Sequence, residues 1–204
     1  QLKLIKIPVV SEIEFAARYT SATLIGITGS NGKTTTSLLT YHILIEAGFD
    51  VGLAGNIGNS FARKVAENDH EYYVLEISSF QLDDIHEFTP HIGVITNVTP
   101  DHLDRYDHDF NNYLKSKLSI TNNQKQGDFL IFNSDDPILK SVVRESLTEA
   151  KLHGFGFEAS VLNNTHYTSD QITIETEKEK TMINTIEFPL SGRHNLLNAM
   201  AAST

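Results

Sequence analysis

Apolar runs alternate with helix-like stretches along most of the chain. Residues 23–28 form a short β-prone run that leads into glycine, and 72–75, 93–96 and 129–132 read as further buried strands. Residues 33–47 predict a helix with Leu39, Ile43 and Ala47 on one face and Gly48 as its stop. Residues 110–122 predict another helix, and 136–146 a third, with Pro137 near its start, where proline is tolerated. Strands interleaved with helices predict a mostly parallel α/β sheet flanked by helices. The tail has a different rhythm. Residues 171–175 and 182–188 alternate like half-exposed strands around a polar turn at 177–180, which predicts a small antiparallel hairpin at the sheet edge. Residues 192–204 read as a helix, and residues 7–14 predict a short strand and a capped helix leading in.

The chain has 204 residues, enough for a sizeable core, and 40% hydrophobic with 21% charged residues marks ordinary globular material rather than a disordered segment. Sixteen Lys+Arg against 26 Asp+Glu give a formal charge of −10. There is no basic stripe, so a nucleic-acid partner is not expected. An anionic small ligand stays possible, because a local loop binds phosphate against the global charge. The absence of cysteine excludes disulfides, thiol nucleophiles and Cys-ligated zinc. No apolar run approaches the ~18 residues of a membrane span, and charges run through the first twenty residues, unlike a signal peptide. A cytoplasmic protein is expected, with no membrane partner, acting as a monomer on small molecules. It starts at Gln1 and stops at Thr204 inside a predicted helix, which suggests a piece of a longer protein.

The strongest chemical signal is Gly29-Ser30-Asn31-Gly32-Lys33-Thr34-Thr35, placed after a β-prone run and opening a helix. The two glycines let the backbone turn tightly and bring its N–H groups against phosphate oxygens, and the helix N-terminus adds partial positive charge. Lys33 suits β/γ-phosphates and the Thr34 hydroxyl suits Mg²⁺. The loop is one residue shorter than the usual pattern, with Ile27 where a glycine stands; the bland alternative is a Gly-rich turn with a solvated lysine. Glu76, directly after the 72–75 strand, is placed to hold Mg²⁺ beside that loop. Residues 97–106 leave the carboxyl end of a third strand, where ligands bind in parallel sheets. Within them, His102 is either a metal ligand or, as one of nine histidines, a structural residue. Lys117 falls on the apolar stripe of Phe110, Tyr113, Leu114, Leu118 and Thr121. Either its amine snorkels to water, or it is held in the site with a lowered pKa. Gly55-Asn56-Ile57-Gly58 reads as a tight turn or a ligand-facing amide, and Asn195 and Asn198, three apart, as adenine readers or helix caps.

Taken together, Gly29–Thr34, Gly55-Asn56-Ile57-Gly58, Glu76-Ile77-Ser78-Ser79-Phe80-Gln81-Leu82, Thr99-Pro100-Asp101-His102-Leu103-Asp104-Arg105 and Arg193-His194-Asn195-Leu196-Leu197-Asn198 resemble the Mur ligase family of ATP-dependent amide-bond-forming enzymes in peptidoglycan synthesis. The second and third stretches point to the branch that adds D-glutamate to UDP-N-acetylmuramoyl-L-alanine. The resemblance implies a P-loop NTPase-like central domain at 21–204, cut before its end, and a lead-in at 1–20 from an N-terminal UDP-binding domain. A C-terminal domain would follow, so these residues alone are not expected to catalyse ligation. It implies that Lys33 and the loop bind ATP, that Thr34 and Glu76 hold one Mg²⁺, and that His102 and a carbamylated Lys117 hold a second. It further implies Asn56 near the reacting centre and Asn195 and Asn198 on adenine. The chemistry implied is acyl-phosphate formation. Rival readings are another amino-acid-adding or folylpolyglutamate-type ligase, an NTPase switch, for which Lys117 would face solvent, and a non-catalytic binding module.

Overall fold

The computed structural model describes residues 7, 9–145, 148–157, 163–176, 179–186, 189 and 191–204. At its centre is β1 (Thr23–Thr28), a run of apolar and β-branched residues buried along nearly its whole length. It lies between β3 (Tyr72–Glu76) and β4 (Ile92–Ile95), parallel to both, with Ile27 opposite Glu76 and Thr28 opposite Ile95. That register levels the carboxyl ends of the three strands. With β2 (Val51–Gly55), β5 (Phe129–Asn133), β6 (Lys151–Gly156), β7 (Asn163–Thr168), β8 (Gln171–Glu175) and β9 (Lys180–Asn184), they make a nine-stranded sheet of order β2-β3-β1-β4-β5-β6-β7-β8-β9. Pairing is parallel from β2 through β7 and antiparallel from β7 to β9. The mostly parallel α/β sheet with antiparallel end strands is as expected from the sequence. The chain leaves β1 for one side of the sheet and returns through β4 on the other, so a crevice opens at the end of β1, where open α/β sheets bind ligands.

Both faces are covered, which is why the strands read as continuous apolar runs. One face packs Tyr73, Leu75, Ile95, Leu130 and Phe132 against Ile13 and Ala16 of α1 (Glu12–Ala17), Phe61 of α3 (Phe61–Glu67) and Tyr113 of α5 (Phe110–Leu118). The helix of the expected lead-in is thus part of this core. The other packs Ile25, Ile27, Val74, Val94, Ile131 and Phe155 under α2 (Lys33–Glu46) and α7 (Arg193–Ser203), which supplies Ala199, Met200 and Ala201. Two shorter helices, α4 (Ser79–Leu82) and α6 (Pro137–Arg144), follow β3 and β5. Pro137 stands in the first turn of α6, after an Asp136 side chain that caps Ile138 and Leu139 N–H. Among the described residues, no helix is long and apolar enough to cross a membrane.

Several boundaries differ from the sequence reading. The buried side of α2 is Thr36, Ser37 and Thr40, while Ile43 is 43% exposed and Ala47 is exposed. The reason is α7, which lies along α2 and meets its small polar side chains, a contact between helices remote in sequence. The expected helix at 110–122 ends at Leu118 and tightens into a 3₁₀ turn, Ser119–Thr121. The helix expected at 136–146 closes at Arg144, and residue 146 lies outside the described residues. Residues 7, 9 and 10 form no strand, and Pro8 lies outside the described set. The antiparallel edge has three strands rather than two, and β9 sits at 180–184; residues 177–178 of the expected turn and 187–188 of the expected strand are likewise not described.

Candidate active site

The loop from β1 into α2 is shaped by its glycines. Gly29 has φ +148° and Gly32 φ +84°, and a Cβ on either would run into a neighbour, Thr96 Oγ1 for Gly29 and Asn198 Oδ1 for Gly32. The first helical bond of α2 runs from Thr36 N–H to Gly32 O, so the preceding N–H groups of the first turn have no carbonyl a turn before them. Lys33, at the start of α2, folds back: its Nζ donates to Gly29 O at 2.9 Å and to Ser30 O at 3.0 Å. Burial lowers its pKa from the ordinary lysine value, with Glu76 and Asp101 pulling the other way.

A second amine arrives at the same carbonyl. Lys117 Nζ donates to Gly29 O at 2.8 Å and lies 4.7 Å from the centre of the Tyr113 ring. Only 2% of Lys117 is exposed, so of the two readings open from its place on the apolar stripe, the structure selects the buried one. Burial, and then the charge of Lys33, bring its pKa down to about 7. The solvent-facing lysine that a motion-driving NTPase would favour is not found.

Opposite the lysines, Glu76 ends β3, 2% exposed. The Thr34 hydroxyl donates to Glu76 Oε2 at 2.7 Å, and Asn56 Nδ2 donates to Oε1 at 2.8 Å. Asn56 is held at both ends by the same residue, since its N–H donates to Glu76 O at 2.8 Å. The structure therefore brings together Thr34, Glu76 and Asn56 on one side of the loop, and Lys33 and Lys117 on the other. Ser30 keeps its hydroxyl between Thr99 O at 2.8 Å and Tyr113 Oη at 2.9 Å.

Other expected site residues lie apart. His102 is in the left-handed region at φ 49°, its side chain 75% exposed and Nε2 3.6 Å from Asp101 Oδ2. Among the described residues, no three His, Asp or Glu side chains gather as a metal-binding group. Asn195 and Asn198 do not converge on one target: Asn195 Nδ2 donates back to Ser191 O at 2.9 Å, whereas Asn198 is buried beside Gly32 and accepts from Thr36 Oγ1 at 3.4 Å. His194, one turn before it on α7, lines the same hollow as Asn198. That hollow, of about 210 Å³, lies between Asn31, Gly32, Thr35, Asn97, Phe155, His194 and Asn198. The Arg193 guanidinium, 3.6 Å from the centre of the Phe157 ring, fastens the start of α7 beside it. Asp101, Asn97, Tyr113 and His194 are members of this arrangement that the sequence reading assigned no role. Their signal was present only as position, in the segments that follow β4 and open α5 and α7.

Residues 27–204 match the Mur ligase middle domain. The chain is 45% identical over 203 residues to UDP-N-acetylmuramoylalanine–D-glutamate ligase of Christiangramia forsetii, covering 100% of this chain and 46% of that protein. It is 50% identical over 198 residues to the protein of the same name from Bacteroides fragilis, covering 96% of this chain and 44% of that one. It thus spans under half the length of these relatives. In structure it resembles MurF of Acinetobacter baumannii (TM-score 0.70, 20% identity, 94% of this chain and 44% of that chain) and MurF ligase of Thermotoga maritima in complex with ADP (TM-score 0.65, 21% identity, 93% and 46%). The glycine-bent loop, its lysine and the acid ending the neighbouring strand thus stand in a known setting: this chain belongs to the Mur ligase family, whose middle domain it contains.

Proposed function

We propose that these residues form the nucleotide-binding part of a ligase that joins D-glutamate to UDP-N-acetylmuramoyl-L-alanine at the expense of ATP, in cytoplasmic synthesis of peptidoglycan precursors. The observation that carries this reading is the Thr34 Oγ1–Glu76 Oε2 contact of 2.7 Å beside a loop where two lysine amines meet one carbonyl. The relatives' shared name supplies the acceptor.

In this reading the first-turn N–H groups of α2 and Lys33 bind the β- and γ-phosphates. Lys33 releases Gly29 O and Ser30 O to do so. Attack of the substrate carboxylate on the γ-phosphorus expels ADP and gives an acyl phosphate. The amine of D-glutamate then attacks the acyl carbon, and phosphate leaves. No protein nucleophile is required, which suits a chain without cysteine. The hydroxyl and carboxylate oxygens of Thr34 and Glu76 fit Mg²⁺, a hard cation with oxygen ligands. Bound there, the metal would screen repulsion between phosphate and carboxylate. Asn56 holds the Glu76 carboxylate in place for that role. Lys117 fits a second metal only as a carbamate, since an amine hydrogen-bonded to a carbonyl offers no anionic oxygen. A buried amine whose pKa is brought down to about 7 has a substantial neutral fraction near neutral pH, the form to which CO₂ adds, and His102 would complete that site. Asn198 and His194 border the hollow that adenine would occupy.

Calorimetry of Mg-ADP and Mg-ATP on this chain, beside Lys33→Ala, tests the nucleotide part. Mg²⁺ should strengthen binding, and affinity should weaken at least about tenfold in the variant. Equal affinity in the two proteins would refute it. At the relatives' full length, phosphate release should require D-glutamate, and release driven equally by another amino acid would overturn the acceptor assignment.

A further inference from the structure

The phosphate loop is tied to the segment after β4 through the backbone of one residue. Asn31 N–H donates to Asn97 Oδ1 at 2.9 Å, and Asn97 Nδ2 donates back to Asn31 O at 2.9 Å. The Thr96 hydroxyl donates to the same carbonyl at 2.7 Å. At the preceding residue, Ser30 N–H donates to Asn97 O at 3.0 Å and Ser30 Oγ accepts from Thr99 N–H at 2.9 Å. An asparagine side chain is itself an amide, so Asn97 pairs with the backbone of Asn31 as a residue in a neighbouring strand would, filling its N–H and its C=O together.

That pairing has a consequence for α2. A helix begun one residue earlier would bond Thr35 N–H to Asn31 O. Instead, the first bond is Thr36 N–H to Gly32 O, and Asn31 O is turned toward Thr96 and Asn97. We propose that Asn97, assisted by Thr96, is a positioning residue that builds the phosphate cradle, drawing the Asn31 carbonyl out of the helix axis so that the Gly32–Thr35 N–H groups face an anion without a competing acceptor. A carbonyl left at that spot would place a partial negative charge against the phosphates and engage one of the amides they need. The same contacts couple the cradle to the 97–99 segment that follows β4. This inference rests on the nucleotide reading above.

The test titrates Mg-pyrophosphate, which reaches the cradle without a base, and Mg-ADP into this chain, following the Gly32, Lys33 and Thr35 amide resonances. Asn97→Ala should weaken both ligands by the same factor, about tenfold, as expected for losing hydrogen bonds that shape a charged site. Thr96→Val, which keeps the shape and removes one donor, should weaken both by about threefold. Amide exchange at Asn31 should quicken in Asn97→Ala. A structural role alone would lower the melting temperature and leave the affinity of the folded fraction unchanged. The proposal is overturned if ADP weakens while pyrophosphate does not, since Asn97 would then act on the base, or if neither weakens. Failure of the unaltered protein to bind either ligand would instead overturn the nucleotide reading, and this inference with it.

Discussion

Glu14 is a carboxylate with 0% exposure on a two-turn helix, and its removal should be costly in a pH-dependent way. One oxygen, Oε2, accepts the N–H groups of His86, Glu87 and Phe88 at 2.9, 3.0 and 2.8 Å; the other accepts from the Arg18 guanidinium at 2.7 Å. Burial pushes the carboxyl's pKa up, and the bonds from His86, Arg18, Phe88 and Glu87 outweigh it, bringing the group from 4.5 down to about 2. That difference corresponds to about 3 kcal/mol of folding free energy at pH 7. Because the folded value lies below the unfolded one, the unfolded chain takes the proton first as pH falls. The contribution is therefore complete above about pH 5 and fades toward pH 2, with about 2 kcal/mol gone at pH 3. Glu14→Gln keeps the shape but turns three charge-assisted bonds into neutral ones and sets an amide N–H against Arg18. Urea unfolding at pH 7 should show the variant less stable by about 2–3 kcal/mol, a midpoint lower by roughly 1 M. At pH 3 the gap should shrink to about 1 kcal/mol. Parallel loss of stability in both proteins between pH 5 and 3, with the gap unchanged, would refute the assignment.

Gly32→Ala should cost about 1–3 kcal/mol, because φ +84° strains an L residue and the new methyl meets Asn198; thermal melts should fall by several degrees, and an unchanged melt would mean the loop refits. Glu76→Gln keeps an oxygen for Asn56 and sets its NH₂ against the Thr34 hydroxyl, which can turn to accept, while the charge is removed, so calorimetry should find ADP binding no longer enhanced by Mg²⁺, with the Mg-free affinity within about twofold. Burial holds the folded Lys117 amine at about 7, below its unfolded value of 10.5, so this lysine costs stability in full below pH 7 and progressively less toward pH 10.5. In CO₂-free buffer Lys117→Met should therefore melt higher at pH 7, by about 1–2 kcal/mol after the lost bond to Gly29 O, and the gain should vanish by pH 10.

What the sequence disclosed of the fold follows the range of the interactions involved. β1, β3, β4 and β5 are buried on both faces, so each is a dense apolar run that needs no neighbour to be recognised. β6 and β7 are different: Lys151-Leu152-His153-Gly154 and Asn163-Asn164-Thr165-His166 are polar stretches that become strands by pairing with β5 and then with each other. Likewise, the face of α2 is set by α7, more than 150 residues away, and Thr36, Ser37 and Thr40 carry no periodic apolar signal to announce it.

The site divides along the same line. Loop, lysine, threonine and helix are contiguous, and their order alone raises phosphate binding as an expectation. Glu76 needed only the end of one strand. Lys117 did not resolve this way, since an apolar stripe accommodates a snorkelling lysine and a buried one equally; what separates them is Gly29 O, 88 residues earlier. The full arrangement also explains how such a site tolerates its own charges. Glu76 is occupied by a hydroxyl and an amide, Lys33 by two carbonyls, and Lys117 by one of those same carbonyls and an aromatic face. Every partner is neutral, so opposite charges are kept from collapsing into a buried ion pair, which a ligand would have to break at the cost of exposing both ions to a poor solvent. The phosphate or cation of the proposed function would instead displace dipoles, a smaller penalty, and the neutral partners would remain to position the group they released.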